Sequence, residues 1–446
     1  MTRRHMDERH PASGYAPTDE YDPTIDEFVS KERNYIHFDL PLTEAERQRF
    51  AVSPTDMAQH AFWPLLGYTQ LQRRVRIGET GNRYFEVKER EIKFGSHRDA
   101  ALLEYYARLL SRRYEDFLSS KPFHGSILAY RTGVGDNVTQ ARDLISEIKS
   151  RGNAIAIAMD IKGFFDNISH ATLLSALQSV LGAERLPAHD FKIFTRMTKF
   201  EWVEVGKLQE RLGRQQPVGG RLCTPLEFRH QVRKKGSSIV EVNPNAFGIP
   251  QGTPLSGLYA NISMLEFDRI MYHYVRKRGG SYRRYSDDVA IVLPIDGDVT
   301  LICKHVERQL KRFGLRLNPD KTEVSVFRAL GSAQSVDRPF QYLGFTFDGS
   351  RILIRPSSLN RYYRKMSRGV RAKVRAAFEK GVPRDEIYMR ELFRRYTHFG
   401  KSRNFPRYAY RAAEVLGAPE IRSQLNGHMS KFKRAVRKHI EQVYGR

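Results

Sequence analysis

Two adjacent carboxylates, Asp287 and Asp288, stand directly before the apolar, β-branched run 289–293 in the stretch RRYSDDVAIVL. A run of this length and composition reads as a buried strand. Two like charges at its edge destabilise any fold unless positive charge offsets them. A second stretch, GNAIAIAMDI, alternates Ile155, Ile157 and Met159 with Ala154, Ala156, Ala158 and Asp160. It reads as another strand, whose small-residue face ends in a third carboxylate. Whatever this chain folds into must gather acid at strand termini and neutralise it.

The residues alone leave two answers open. One is a divalent cation. No Cys/His group has zinc-ligand spacing, so hard oxygen ligation of Mg²⁺ by Asp160, Asp287 and Asp288 is indicated, with Mn²⁺ as a substitute. Two ions about 3.5–4 Å apart, one activating a hydroxyl and one holding a triphosphate, would serve phosphoryl transfer. The other answer is a polar hairpin tip whose aspartates only shape a turn.

Charge bears on the partner. The 446-residue chain carries a net charge of +25 and a pI near 10.0, which points to a polyanion such as nucleic acid, a generic basic surface being the bland alternative. Residues 356–446 hold 23 Lys/Arg against 7 Asp/Glu, a net +16 of that +25. This part reads as a dedicated nucleic-acid surface. At 40% hydrophobic the chain is globular. Its two cysteines, Cys223 and Cys303, fit a reducing compartment without a disulfide framework. No apolar run is long enough to span a membrane. The polar stretch 1–34 lacks the apolar core of a signal peptide and reads as a lead-in. A cytoplasmic protein is expected.

Periodicity places the motifs. ALLEYYARLLSRRYEDFL has helical spacing at Leu102, Leu103, Tyr106, Leu110, Tyr114 and Phe117, and HATLLSALQSVL reads as a helix closed by Gly182. Residues from about 187 to 244 read as a charged, irregular insertion. Thr253 and Pro254 would open a helix with a buried stripe at Leu255, Leu258, Ile262, Leu265 and Ile270. SYRRYSDDVAIVL reads as strand, turn, strand; VTLICKHVERQLKRFGL as a helix; QYLGFTFDGSRILI as a hairpin turned at Asp348-Gly349. In SLNRYYRKMSRGVRAKVRAAFEKG, Leu359, Tyr363, Met366, Val370, Val374 and Phe378 form an apolar helix face, and Arg361, Lys365, Arg368, Arg371 and Arg375 lie on another. The class is α+β.

Seven stretches, in order over residues 88–349, resemble the motifs of reverse transcriptases. Tyr-Ser-Asp-Asp resembles the YxDD box, AMDIKGFFDNISH motif A, GIPQGTPLSGLYANI motif B, LNPDKTEVSVF motif D and YLGFTFDG the primer-grip hairpin. REIKFGSHRD and AYRTG resemble the fingers motifs. The resemblance implies a right-hand polymerase with fingers (35–153), a ferredoxin-like palm of antiparallel sheet plus helices (154–354, carrying the insertion) and a basic helical thumb (355–446).

It also implies roles. Asp160 and Asp287 would bind both metal ions with Asp288 beside them, and Ile161 would lend its carbonyl. Phe165, five residues after Asp160, would be a steric gate against a ribose 2′-hydroxyl; in the bland reading Phe164 and Phe165 are simply core. Gln251 would touch the incoming dNTP and Gly252 would let the backbone approach it. Lys88 and Arg90 would hold the triphosphate. Lys321 would protonate the leaving pyrophosphate, or else be a surface lysine. Asn261 would orient the template or the metal-site loop. Arg361, Lys365, Arg368 and Arg371 would grip nucleic acid.

At this length the resemblance leaves no room for RNase H, protease or integrase domains. The Val-Thr-Gly element and Tyr-Ala-Asp-Asp box of retron enzymes are absent. NYIHFDLPLTEAERQRF, AYRTG and IRPSSLNRYYRKM look closest to stand-alone bacterial reverse transcriptases of antiviral defence. The implied activity is cDNA synthesis on RNA, on a dedicated noncoding RNA, and a homo-oligomer is compatible with it. A template-independent or protein-primed DNA polymerase of the abortive-infection type, and an RNA-binding scaffold, stand as alternatives; the intact carboxylate triad argues against the scaffold.

Overall fold

The computed structural model describes residues 28–48, 50, 52–77, 82–399 and 404–445, without the side chains of 72–77, 83, 86 and 88. Most of the expected lead-in, residues 1–27, lies outside the described residues. After two short helices, Glu44–Gln48 and Pro54–Gln59, comes a long antiparallel hairpin, β1 (Leu65–Ile77) and β2 (Arg83–Phe94), with Leu66 opposite Phe94. Ser96 caps α1 (His97–Ser119) by accepting from Asp99 N. Leu102, Leu103, Tyr106, Leu110 and Tyr114 are buried on it, as their spacing predicts. Asp136 caps α2 (Asn137–Arg151), and β3 (Ala154–Asp160) follows. Next come α3 (His170–Leu181), stopped by left-handed Gly182, and α4 (Ala188–Thr198).

The stretch expected to be irregular is built. Ile193 and Met197 of α4 are fully buried in the main core. β4 (Glu201–Glu204) pairs in parallel with β1, α5 (Val205–Leu212) follows, and β5 (Glu241–Val242) completes a four-stranded sheet ordered β2-β1-β4-β5. Its charged composition hid short elements that find their apolar partners on distant strands.

The GIPQGTPLSG segment turns before its helix starts. α6 (Ser256–Ser263) begins after Leu255, not at Thr253, whose hydroxyl meets Ser256 Oγ at 2.6 Å instead. The run breaks at Met264 into a second helix, α7 (Leu265–Arg276), on which Ile270 is only half-buried. β6 (Ser281–Tyr285) and β7 (Asp288–Pro294) form the expected hairpin. After α8 (Val299–Arg312) come β8 (Glu323–Leu330) and β9 (Ala333–Val336). The expected hairpin gains a third strand: β10 (Phe340–Tyr342), β11 (Phe345–Phe347) and β12 (Ile352–Ile354) form one small antiparallel sheet.

The central sheet, ordered β6-β7-β3-β8-β9, is antiparallel throughout. Both of its faces are covered. Ile155, Ile157 and Met159 enter one core with α1, α3, α4, α6 and α7, while Ala154 and Ala156 enter a second with Ala290, Val292, Phe327 and α2. The strict alternation of β3 is the reason for two cores. Fully buried Ile157 alone contributes roughly 1.5–3 kcal/mol by leaving water.

The C-terminal part is helical: α9 (Pro356–Glu379), α10 (Arg390–Tyr396), α11 (Phe405–Val415), α12 (Pro419–Gln424) and α13 (His428–Tyr444). On α9 the buried stripe is Tyr362, Met366, Val370 and Val374, one strict i, i+4 row, so Tyr362 takes the place expected for Tyr363. Phe378 is 52% exposed and stays outside that row. Among the described residues no helix is long and apolar enough to cross a membrane. The described residues form a mixed helix-and-sheet molecule with antiparallel sheets and a parallel β1–β4 pairing.

Candidate active site

The β3–β7 register places Asp160 directly opposite Asp288 at one end of the central sheet. Residues paired in this way point to the same face. Asp287 sits in the β6–β7 turn, and its carbonyl accepts the Ile161 N–H at 3.0 Å. All three aspartates are half-buried. The positive partner is close. Lys321, on the helical turn before β8, pairs its ammonium with Asp160 Oδ1. Asn318 N donates to Asp160 O at 2.8 Å and holds that turn against the strand end. Lys321 is therefore no free surface lysine.

Burial pushes the Asp288 carboxyl up to about 7, helped by Asp287 and Asp160, while Lys321 and Arg355 oppose the shift. Asp287 is raised for the same leading reason, with Asp160 adding to it. Arg355 was not singled out by sequence. It is the N-cap residue of α9 and directly follows β12, and its charge acts on Asp288. Its signal was weak, a lone arginine before Pro356.

The donor chemistry fits a hard divalent cation: carboxylate oxygens whose mutual repulsion already disfavours ionisation, and a backbone carbonyl at Ile161 beside them. As they stand, no three Asp, Glu, His or Cys side chains among the described residues converge closely enough to hold an ion. Lys321 is paired with Asp160, one of the three acids.

Residues after Asp160 divide as two faces. Phe164 is buried in the main core; Phe165 packs on it edge-on at 5.5 Å between ring centres and stays half-buried. Phe165 O accepts from Ile249 N at 3.0 Å, and Gly248 N donates to Ile168 O at 2.8 Å. The GIPQG segment thus lies along residues 165–168. Its turn also docks on β2: Lys93 N donates to Gln251 O at 2.7 Å. Gly252 has φ +115°, and a Cβ there would stand 2.8 Å from Lys93 O. The close approach that demands glycine is to β2, not to open space.

Arg90 is exposed on β2, and the side chain of Lys88 lies outside the described residues. Sequence reasoning passed over Lys93. It is 8% exposed, paired with Glu91 and set 4.6 Å from the Trp202 ring centre. Asp166 stands in its field; burial raises that carboxyl and Lys93 lowers it. Nothing local announces a lysine whose aromatic partner comes from β4.

Arg361, Lys365, Arg368 and Arg371 are exposed along α9, opposite its buried row. They lie on a different element from the carboxylates and share no bond with them.

Among curated proteins no sequence matches this chain. Of solved structures, telomerase from Candida tropicalis truncated of its C-terminal domain is similar at 12% identity and a TM-score of 0.41, covering 65% of this chain and 55% of that one. Telomerase from Candida albicans, in complex with a TWJ fragment of telomeric RNA, is similar at 13% identity and a TM-score of 0.35, covering 85% of this chain and 64% of that one. The chain spans between half and two thirds of the length of these structures. The family described as "Reverse transcriptase (RNA-dependent DNA polymerase)" matches residues 87–347. That is more than half of the sequence and takes in Asp160, Gln251, Asp287, Asp288 and Lys321, so the chain belongs to the reverse transcriptase family.

Proposed function

We propose that this protein is an RNA-directed DNA polymerase that copies RNA into cDNA from dNTPs. The observation that carries the reading is the juxtaposition of Asp160, Asp287 and Asp288 at one sheet end, inside the matched family segment. Asp160, Asp287 and Asp288 with the Ile161 carbonyl would hold Mg²⁺, which when bound neutralises phosphate charge and activates a hydroxyl. Lys321 would leave Asp160 as the cation enters and present its proton to the departing pyrophosphate. Phe165 would exclude a 2′-hydroxyl. The segment around Gln251 and Gly252, pinned to β2, would set one wall of the nucleotide site, with Arg90 and Lys88 on the same strand.

In this reading the hairpin and helices before β3 are fingers, the central sheet is the palm and α9–α13 are a thumb. The exposed cations of α9 grip the RNA–DNA duplex or a dedicated noncoding RNA. The biological setting we propose, from motif resemblance, is bacterial antiphage defence in the cytoplasm.

The test is extension of a DNA primer on a defined RNA template with four dNTPs and Mg²⁺, beside a reaction holding one dNTP and no RNA. Products complementary to the template support the reading. Homopolymer made only without RNA replaces it with template-independent synthesis.

A further inference from the structure

Among the described residues three non-glycine residues take positive φ: Tyr130 at 56°, Ser286 at 60° and Leu343 at 45°. Two of them touch. Tyr130 Oη and Ser286 Oγ lie 3.2 Å apart, and Ser286 immediately precedes Asp287. Left-handed backbone is costly for residues with a Cβ and persists where the surroundings over-determine it.

Those surroundings are a buried ion pair. Arg284 donates through Nε and Nη2 to the two oxygens of Asp268 at 2.7 and 2.6 Å, and both side chains are fully buried. Tyr282 Oη donates to the same carboxylate at 2.6 Å. The remaining arm, Nη1, donates to Ser286 O at 3.0 Å and to Asn261 Oδ1 at 3.2 Å. Asn261 in turn donates through Nδ2 to Ala129 O.

Each of those two carbonyls belongs to a peptide plane that sets a strained residue. Ser286 O lies in the peptide leading to Asp287, and Ala129 O in the peptide leading to Tyr130. One guanidinium therefore holds both planes, the second through Asn261. The Tyr130 ring lies on α6 at Gly257, where a Cβ would stand 2.5 Å from ring atom Cδ1. A buried ion pair is seldom the most stable filling for a core. Here its spare donor is spent on the turn that carries the acids.

We infer that the buried Arg284–Asp268 pair, with Asn261, is a positioning device that keeps Ser286 and Tyr130 left-handed and thereby aims Asp287 and Asp288 at a divalent cation. The inference rests on reading the three aspartates as a metal site. A lysine at 284 keeps the charge but cannot span Asp268, Asn261 and Ser286 at once. Glycine at 286 takes left-handed backbone without the steric cost.

Binding of Mn²⁺ to the full chain, followed by electron paramagnetic resonance without nucleotide, tests it. Arg284→Lys is expected to weaken Mn²⁺ binding by about tenfold or more, the usual scale for losing a group that orients metal ligands. Arg284→Lys with Ser286→Gly is expected to regain most of that loss. Gly257→Ala leaves the ion pair intact, displaces the Tyr130 ring and is expected to weaken binding as well. Parent-like binding in a folded Arg284→Lys protein, or a double variant no better than the single one, overturns the inference. Should Arg284→Lys not fold, unchanged binding in Gly257→Ala overturns it. A parent chain that binds no Mn²⁺ removes the metal site itself, and this inference with it.

Discussion

Asp288 faces Asp160 across the sheet because the β3–β7 register allows nothing else. Replacing Asp287 and Asp288 together by Asn is expected to abolish DNA synthesis while the chain stays folded, as read by primer extension beside thermal unfolding. Without metal the unfolding midpoint should hold or rise, since like-charge repulsion is relieved. The pH dependence has a definite sign. With its folded-state value raised to about 7 from 3.8, Asp288 binds a proton more tightly when folded. Its stabilising contribution is full below the unfolded value and lost as pH climbs through the folded one. In chelator, stability between pH 5 and 7 should fall by at most about 1.4 kcal/mol per unit from this group. Asp287 is shifted in the same direction, and Asp288→Asn should flatten the slope. The half-buried Phe165 ring packs against Phe164 and the main core, so core and gate are separated by substitution. Phe165→Ala should raise rNTP incorporation relative to dNTP. A variant that discriminates like the parent places the gate elsewhere.

Among elements, α9 divides its labour cleanly. Tyr362, Met366, Val370 and Val374 bind it to α10 and α13, and its other side exposes Arg361, Lys365, Arg368 and Arg371. Changing these four to Gln should leave the fold intact, because none of them enters the buried row. If all four touch phosphates, the slope of log K against log salt should flatten by roughly three to four units. Catalysis on a short, saturating primer-template should suffer less than binding, since the carboxylates lie at the end of the central sheet and in the β6–β7 turn. Superimposable slopes for parent and variant would assign this face to solvent alone. Of the elements, the long helices and the Asp-Asp hairpin were legible from periodicity. The 187–244 stretch was not. Its strands are two to four residues long and gain their identity only by pairing, β4 with β1 and β5 with β4.

On the scale of the whole molecule, charge and family agree. A net charge of +25, concentrated toward the C-terminus, suits a chain whose family acts on nucleic acid. Arg355 stands at the N-terminus of the basic helix, and its charge lowers the Asp288 carboxyl. Nucleic acid co-purified with the full chain should be released by salt. Sequencing it should return one enriched RNA if the partner is dedicated, and a random mixture if it is not.

The sequence by itself determined the family and the mixed helix-and-sheet make-up, and it pointed to three acids that the structure gathers at one sheet end. These rest on short-range pattern: alternation along β3, the order of motifs and the spacing of helical faces. Tertiary structure alone decided what stands beside the acids. Lys321 lies 161 residues from Asp160, and Asp268 is 16 residues from the Arg284 it binds. Lys93 meets an aromatic ring from another strand. Hydrophobic pattern specifies which face of an element turns inward. It does not specify which polar groups then meet, because those pairings are fixed by register and by the packing of elements remote in the chain.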